Sequence, residues 1–163
     1  MAELTPSQTV GPFFHLGLTW PRAPATVGSV TLSGQVLDGG GVAVPDALLE
    51  LWQADAAGAP QPQGGLQRVA VDADGRFSFS IVKPGAGGSA APHLMLAVFA
   101  RGLLRQVHTR MYFPEDSALH ASDPVLQGVP AARRATLLAQ RDAAGLRFDI
   151  HLQGPQETVF FDV

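Results

Sequence analysis

The sequence predicts an all-β protein, an antiparallel β-sandwich of seven to eight short strands with an extended N-terminal arm and one short helix. Three observations lead there. Apolar and polar residues alternate with a period of two in several short runs, as in strands with one buried face. Gly- and Asp-rich turns such as Asp38-Gly39-Gly40-Gly41 and Asp72-Ala73-Asp74-Gly75 separate the runs. No helical pattern recurs between them, which argues against a parallel α/β sheet. At 163 residues and 46% hydrophobic, the chain is long enough for one domain with a real core.

Taken in order, residues 1–28 read as an arm. They hold Pro6, Pro12, Pro21 and Pro24 with little periodicity, yet Val10, Phe13, Phe14, Leu16, Leu18 and Trp20 are too apolar for a free tail. The sandwich is expected over 29–163. Val30, Leu32, Gly34 and Val36 share one face of a first strand. A second alternates up to Trp52-Gln53-Ala54-Asp55 and breaks at Gly58. Gln53 and Asp55 are read as shaping that turn, and Trp52 with Phe77, Phe79 and Phe99 as core. Phe77, Phe79 and Ile81 alternate with Arg76, Ser78 and Ser80. His93 to Ala100 is nearly all apolar, as a central strand would be, and Gln106 to Phe113 follows it after the Arg101-Gly102 turn. The segment 85–91, GAGGSAA, must be a flexible or tightly turned loop. The segment 130–141, PAARRATLLAQR, is the one helix expected, with Pro130 suited to its first turn. Phe148, Ile150 and Leu152 then alternate with Arg147, Asp149 and His151, and Thr158 to Asp162 reads as a last strand.

Composition excludes several functions. A net charge of −3 and a pI near 5.9 do not supply the basic stripe that nucleic-acid binders use. No run of roughly 18 apolar residues is present, so no membrane span is expected. Residues 1–14 lack a basic-then-apolar leader pattern, which makes the cytoplasm the default. With no cysteine, disulfides and thiolate metal sites are excluded. The D-A-D-G and D-G-G-G segments are turns rather than a carboxylate pair or a dinucleotide loop. Ser7 and Ser33 lack a nucleophile-elbow context.

Residues 34–58, GQVLDGGGVAVPDALLELWQADAAG, resemble the signature segment of the intradiol ring-cleaving dioxygenases. The resemblance extends to TPSQTVGPFF (5–14), APHLMLAVFARG (91–102), HTRMYF (108–113) and RFDIHLQGPQETVFFD (147–162). Members of that family bind high-spin Fe(III) through two tyrosinates, two histidines and a hydroxide. A hard, strongly Lewis-acidic ion favours phenolate and imidazole donors. By resemblance the first tyrosine position is Pro60, and the second falls near Gly87, after Lys83-Pro84-Gly85. The His-x-His pair falls on His93-Leu94-Met95, so one ligand in four survives. Methionine is a poor partner for ferric ion. The only tyrosine, Tyr112, lies on the strand face opposite Met111 and Phe113, and one tyrosine cannot supply two phenolates. His15, His108, His120 and His151 show no H-x-H or H-x₃-H spacing.

The resemblance is strongest to the alpha-type chain of a two-chain branch of the family. It implies that no metal binds in this chain and that no catalytic residue lies in it. Fe(III) would instead sit on a homologous beta subunit in an alpha–beta hetero-oligomer that acts on a small aromatic substrate such as protocatechuate, with O2. Thr9, Gly11, Pro12 and Arg101 would then line the substrate channel at the partner's site, and Arg101 would supply charge for a ring carboxylate. The arm and the C-terminal ETVFFDV would contribute much of an interface exceeding about 1,600 Å². Two alternatives stand beside this one. A sandwich binding module that has left ring cleavage could hold a small ligand between Pro60, Gly87 and His93. A self-sufficient dioxygenase with altered ligands would hold metal alone.

Overall fold

The computed structural model describes residues 4–11, 13–19, 28–61 and 65–162. Two sheets face each other. The first has strand order β4-β1-β8-β7, from β1 (Val30–Leu37), β4 (Arg76–Ile81), β7 (Gln140–Asp142) and β8 (Gly145–Arg147), with β9 (Ile150–His151) also on β1. The second has order β3-β2-β5-β6, from β2 (Leu48–Gln53), β3 (Leu66–Ala70), β5 (His93–Phe99) and β6 (Val107–Tyr112). Alternation along the strands builds the core between them. Leu32, Val36, Phe77, Phe79 and Ile81 come from one sheet, and Leu49, Leu51, Leu94, Leu96, Val98 and Met111 from the other. At about 25 cal/mol per Å² of apolar surface removed from water, these side chains supply the main drive to fold.

The sandwich is the one the sequence predicts, with two parallel pairings added: β1 runs parallel to both β8 and β9. The run expected through Phe148, Ile150 and Leu152 is split by a local departure at Phe148. The carbonyl of Phe148 approaches Gly34 so closely that a Cβ there would lie 1.9 Å from it. The Asp149 carboxylate takes the Gln35 amide at 3.0 Å, filling the gap in the ladder.

Other expectations are corrected. The segment 130–141 is not an α-helix: Ala131–Leu137 winds as 3₁₀ turns, and Gln140 already begins β7. Its ends are drawn into tertiary hydrogen bonds instead, from Arg133 to the Glu157 carbonyl and from Val159 to the Thr136 hydroxyl. Short helices form elsewhere, at α1 (Phe14–Leu18), α2 (Ser117–His120) and α3 (Pro124–Gly128). For α3 the signal was present: Asp123 caps it by accepting from Leu126 N at 2.8 Å, with Pro124 in the first turn. The strand expected over 158–162 is irregular, joined to the sheet by one bridge between His108 and Phe161. Strand β3 was not anticipated, because all five of its residues are half-buried and no alternation marks them.

The segment 114–139 folds over part of the outer face of the second sheet. Ala91, Tyr112, Leu126, Val129 and Leu137 form a small second core there. Asp123, fully buried, ties it together by accepting from Ala91 N at 2.9 Å as well as from α3. The cover stops short of the β2 side of the sheet, and that leaves a cavity.

Candidate functional site

The cavity, of about 440 Å³, lies on the outer face of the second sheet, at the end of β2 and the start of β5. Trp52, Pro60, Pro84 and Met95 give it apolar walls, and Gln53, Gly87 and His93 complete its lining. His93 and Met95 are two residues apart on β5 and share a face. Register places Met95 opposite Trp52 on one side and Arg110 on the other. All four positions read as remnants of a metal site (Pro60, Gly87, His93 and Met95) therefore line one cavity.

Two loops bring Pro60 and Gly87 to it, and Asp55 holds both. Its carboxylate accepts from Ala57 N at 2.9 Å and Ala59 N at 2.8 Å, while its carbonyl accepts from Gly85 N at 2.9 Å in the second loop. At Gly58, φ is +83° and a Cβ would lie 2.2 Å from the Ala86 carbonyl. Only glycine permits that turn and that contact together. Asp55 thus shapes the turn as the sequence suggests.

Two residues differ from expectation. Trp52 is not core: it is 44% exposed at the cavity edge. Gln53 shapes no turn with its side chain. It is only 6% exposed, and neither its amide nitrogen nor its amide oxygen has a partner among the described residues. The signal that could have exposed it was a buried position for a polar residue at the last inward step of β2, after Leu49 and Leu51.

His93 Nδ1 donates to the Ala91 carbonyl at 2.8 Å, so Nε2 is the acceptor of a neutral ring. Burial pushes its pKa below the ordinary 6.5; the bond to Ala91 opposes this and the charge of Arg110 adds to it. Its ring lies 5.6 Å from that of Tyr112, which also makes a T-shaped contact with His120 at 5.7 Å. Burial raises the pKa of Tyr112, against the pull of Arg110, and its hydroxyl donates to Asp123 at 3.3 Å.

These residues do not fit a ferric ion. Pro60 and Gly87 offer no side-chain donor, and Met95 offers a soft thioether. Tyr112 is held as a neutral phenol, and Arg110 places positive charge beside His93. Among the described residues no three His, Cys, Asp or Glu side chains group as a metal site.

The residues expected at a substrate channel lie elsewhere. The Thr9 hydroxyl accepts from Gly102 N at 3.1 Å, which joins the arm to the turn after β5. Arg101 in that turn is 62% exposed at its side chain and pairs through Nε with Asp46 at 3.1 Å. Gly11 has φ +79° with nothing within 4 Å of where a Cβ would sit, and Pro12 lies outside the described residues. His93 and Phe99 bound β5, so its length, about 20 Å at ~3.3 Å per residue, separates Thr9 and Arg101 from the cavity.

The fold is a two-sheet sandwich with a cavity at the start of its central strand, and comparison with known proteins gives the class to which it belongs. The profile of a dioxygenase family matches residues 20–154, and the chain belongs to that family. It is similar to the protocatechuate 3,4-dioxygenase alpha chain of Burkholderia cepacia, at 44% identity over 98% of this chain and 97% of that one. To the beta chain of the same organism's enzyme it is 35% identical, over 79% of this chain and 66% of that one. Among solved structures, the dioxygenase domain of a dioxygenase–carbohydrate-binding fusion from Streptomyces sp. SirexAA-E superposes with a TM-score of 0.62. That match has 26% identity and covers 93% of this chain and 99% of that one.

Proposed function

We propose that this chain is the alpha-type subunit of a hetero-oligomeric protocatechuate 3,4-dioxygenase and binds no iron itself. Its partner, a homologous beta chain, carries Fe(III) and cleaves protocatechuate with O2 to 3-carboxy-cis,cis-muconate, in the cytoplasm. The observation that carries this reading is the lining of the cavity: Pro60, Gly87 and Met95 stand at three of the four positions where the resemblance implies iron ligands. Similarity to alpha chains over nearly full length supports it, as does the existence of a beta relative.

In this reading the arm of residues 1–28 packs on the partner, and Thr9, Gly11, Pro12 and Arg101 line the approach to the partner's site. Arg101 meets the substrate carboxylate with a charge that Asp46 partly offsets. The chain purified alone is expected to hold no stoichiometric iron and to cleave no catechol, and co-expression with a beta chain should restore turnover. In that complex Arg101→Ala should raise KM for protocatechuate more than for catechol. Stoichiometric iron in the lone chain would overturn the subunit reading, and an equal change for both substrates would remove Arg101 from carboxylate recognition.

A further inference from the structure

We propose that a second cavity, between the 3₁₀ turns, β7, β8, β9 and the C-terminal segment, binds a small oxyanion, a carboxylate or a phosphate. The site uses only residues of this chain and does not rest on the subunit reading.

The cavity, of about 370 Å³, holds a small organic acid and shares no lining residue with the one beside His93. Its lining brings Arg133 from the 3₁₀ turns together with Arg147, Asp149 and His151, and with Thr158 of the C-terminal segment. The one carboxylate among them is already engaged. One oxygen of Asp149 accepts from Gln35 N at 3.0 Å, and the other pairs with Arg147 at 2.9 Å. Arg133 has no such partner among the described residues. Its Nη2 donates to the Glu157 carbonyl at 2.6 Å and its carbonyl accepts from the Thr136 hydroxyl at 2.8 Å, which together hold it in place. Its Nε is buried and has no acceptor among the described residues. A charged donor left so is costly.

The remaining polar groups point to the same ligand. Thr158 is 1% exposed, and its hydroxyl oxygen accepts from His151 N at 3.0 Å. The hydroxyl hydrogen is left without an acceptor among the described residues, and the His151 ring carries at least one further N–H. These groups leave donors to be met, beside a positive charge that nothing in the lining offsets. An oxyanion only accepts, and its oxygens match the fork of a guanidinium. A neutral alcohol would leave the charge of Arg133 unmet, and a cation would be repelled by it.

The test titrates the full-length chain with sodium acetate and with inorganic phosphate, at an ionic strength held constant with sodium chloride. Calorimetry and the thermal midpoint are read together. Saturable one-site binding of at least one oxyanion is expected, with a rise in midpoint that chloride alone does not give. The tighter of the two identifies the class of anion the site prefers. Arg133→Gln should weaken binding roughly tenfold. His151→Leu, an independent variant should the first fold poorly, should weaken it roughly threefold. No saturable binding of either anion, a chloride effect of the same size, or unchanged affinity in a folded variant would each overturn the proposal. None of these outcomes bears on whether a partner's iron site exists, which metal analysis and reconstitution decide.

Discussion

His93 concentrates much of the residue-scale chemistry. Burial first, and then the charge of Arg110 on β6, keep its imidazole neutral, against the Ala91 carbonyl and the Asp123 carboxylate at the start of α3. A histidine whose pKa is lower in the folded than in the unfolded chain contributes stability that is complete above the unfolded value. That stability falls as pH drops below about 6.5, because the unfolded state takes up its proton first, and the loss ends at the folded pKa. The urea midpoint should therefore fall with pH below about 6.5, and the His93→Gln variant should show a shallower decline. Parallel curves for the two proteins would contradict this. The surviving histidine, the missing ligands and the single tyrosine were all legible in the sequence. Gln53 was legible only as the inward step after Leu49 and Leu51, and its burial without a partner among the described residues needed coordinates.

At the scale of elements, the strands announced by alternation, β1, β2 and β4, and the nearly all-apolar β5 with β6 after its turn are where the sequence puts them. The failures share a cause: tertiary context overrode local preference. Strand β3 lies half-buried along its length, so its residues carry no period. Residues 131–137 have helical composition, yet Thr136 and Arg133 bond to the C-terminal segment and the turns tighten to 3₁₀. The parallel addition of β8 and β9 to β1 could not be read either, since alternation fixes faces but not partners. Gly34 marks where that addition is tightest. Gly34→Ala would place a Cβ 1.9 Å from the Phe148 carbonyl and 2.6 Å from the Phe77 ring. It should lower stability by about 3 kcal/mol, measured by urea unfolding, as the strands are forced apart.

For the molecule as a whole, the arm is the part most out of balance with a lone chain. Phe13 is 74% exposed, and Leu4, Val10 and Leu16 are also more than half exposed. Among the described residues its contacts with the sandwich include Phe14 against Phe99 at 6.5 Å, Thr9 bonded to Gly102, and the Leu18 carbonyl accepting from Arg68 at 3.4 Å. That much apolar surface on so light an attachment suits a segment completed by another chain. Limited proteolysis should remove the arm readily from the lone chain and much more slowly from a complex with a beta partner. Equal cleavage in both would argue that the arm takes no part in assembly. The sequence had already marked the arm as too apolar for a tail. Its described anchoring points, and the length of β5 between Thr9 and the cavity, required coordinates.

Asp55 fastens the two loops over the cavity by backbone and carboxylate bonds that would close in the same way over any contents or none. The positions of Pro60 and Gly87 are thus fixed by Asp55 and the backbone, so substitutions at Pro60 should leave the two loops closed.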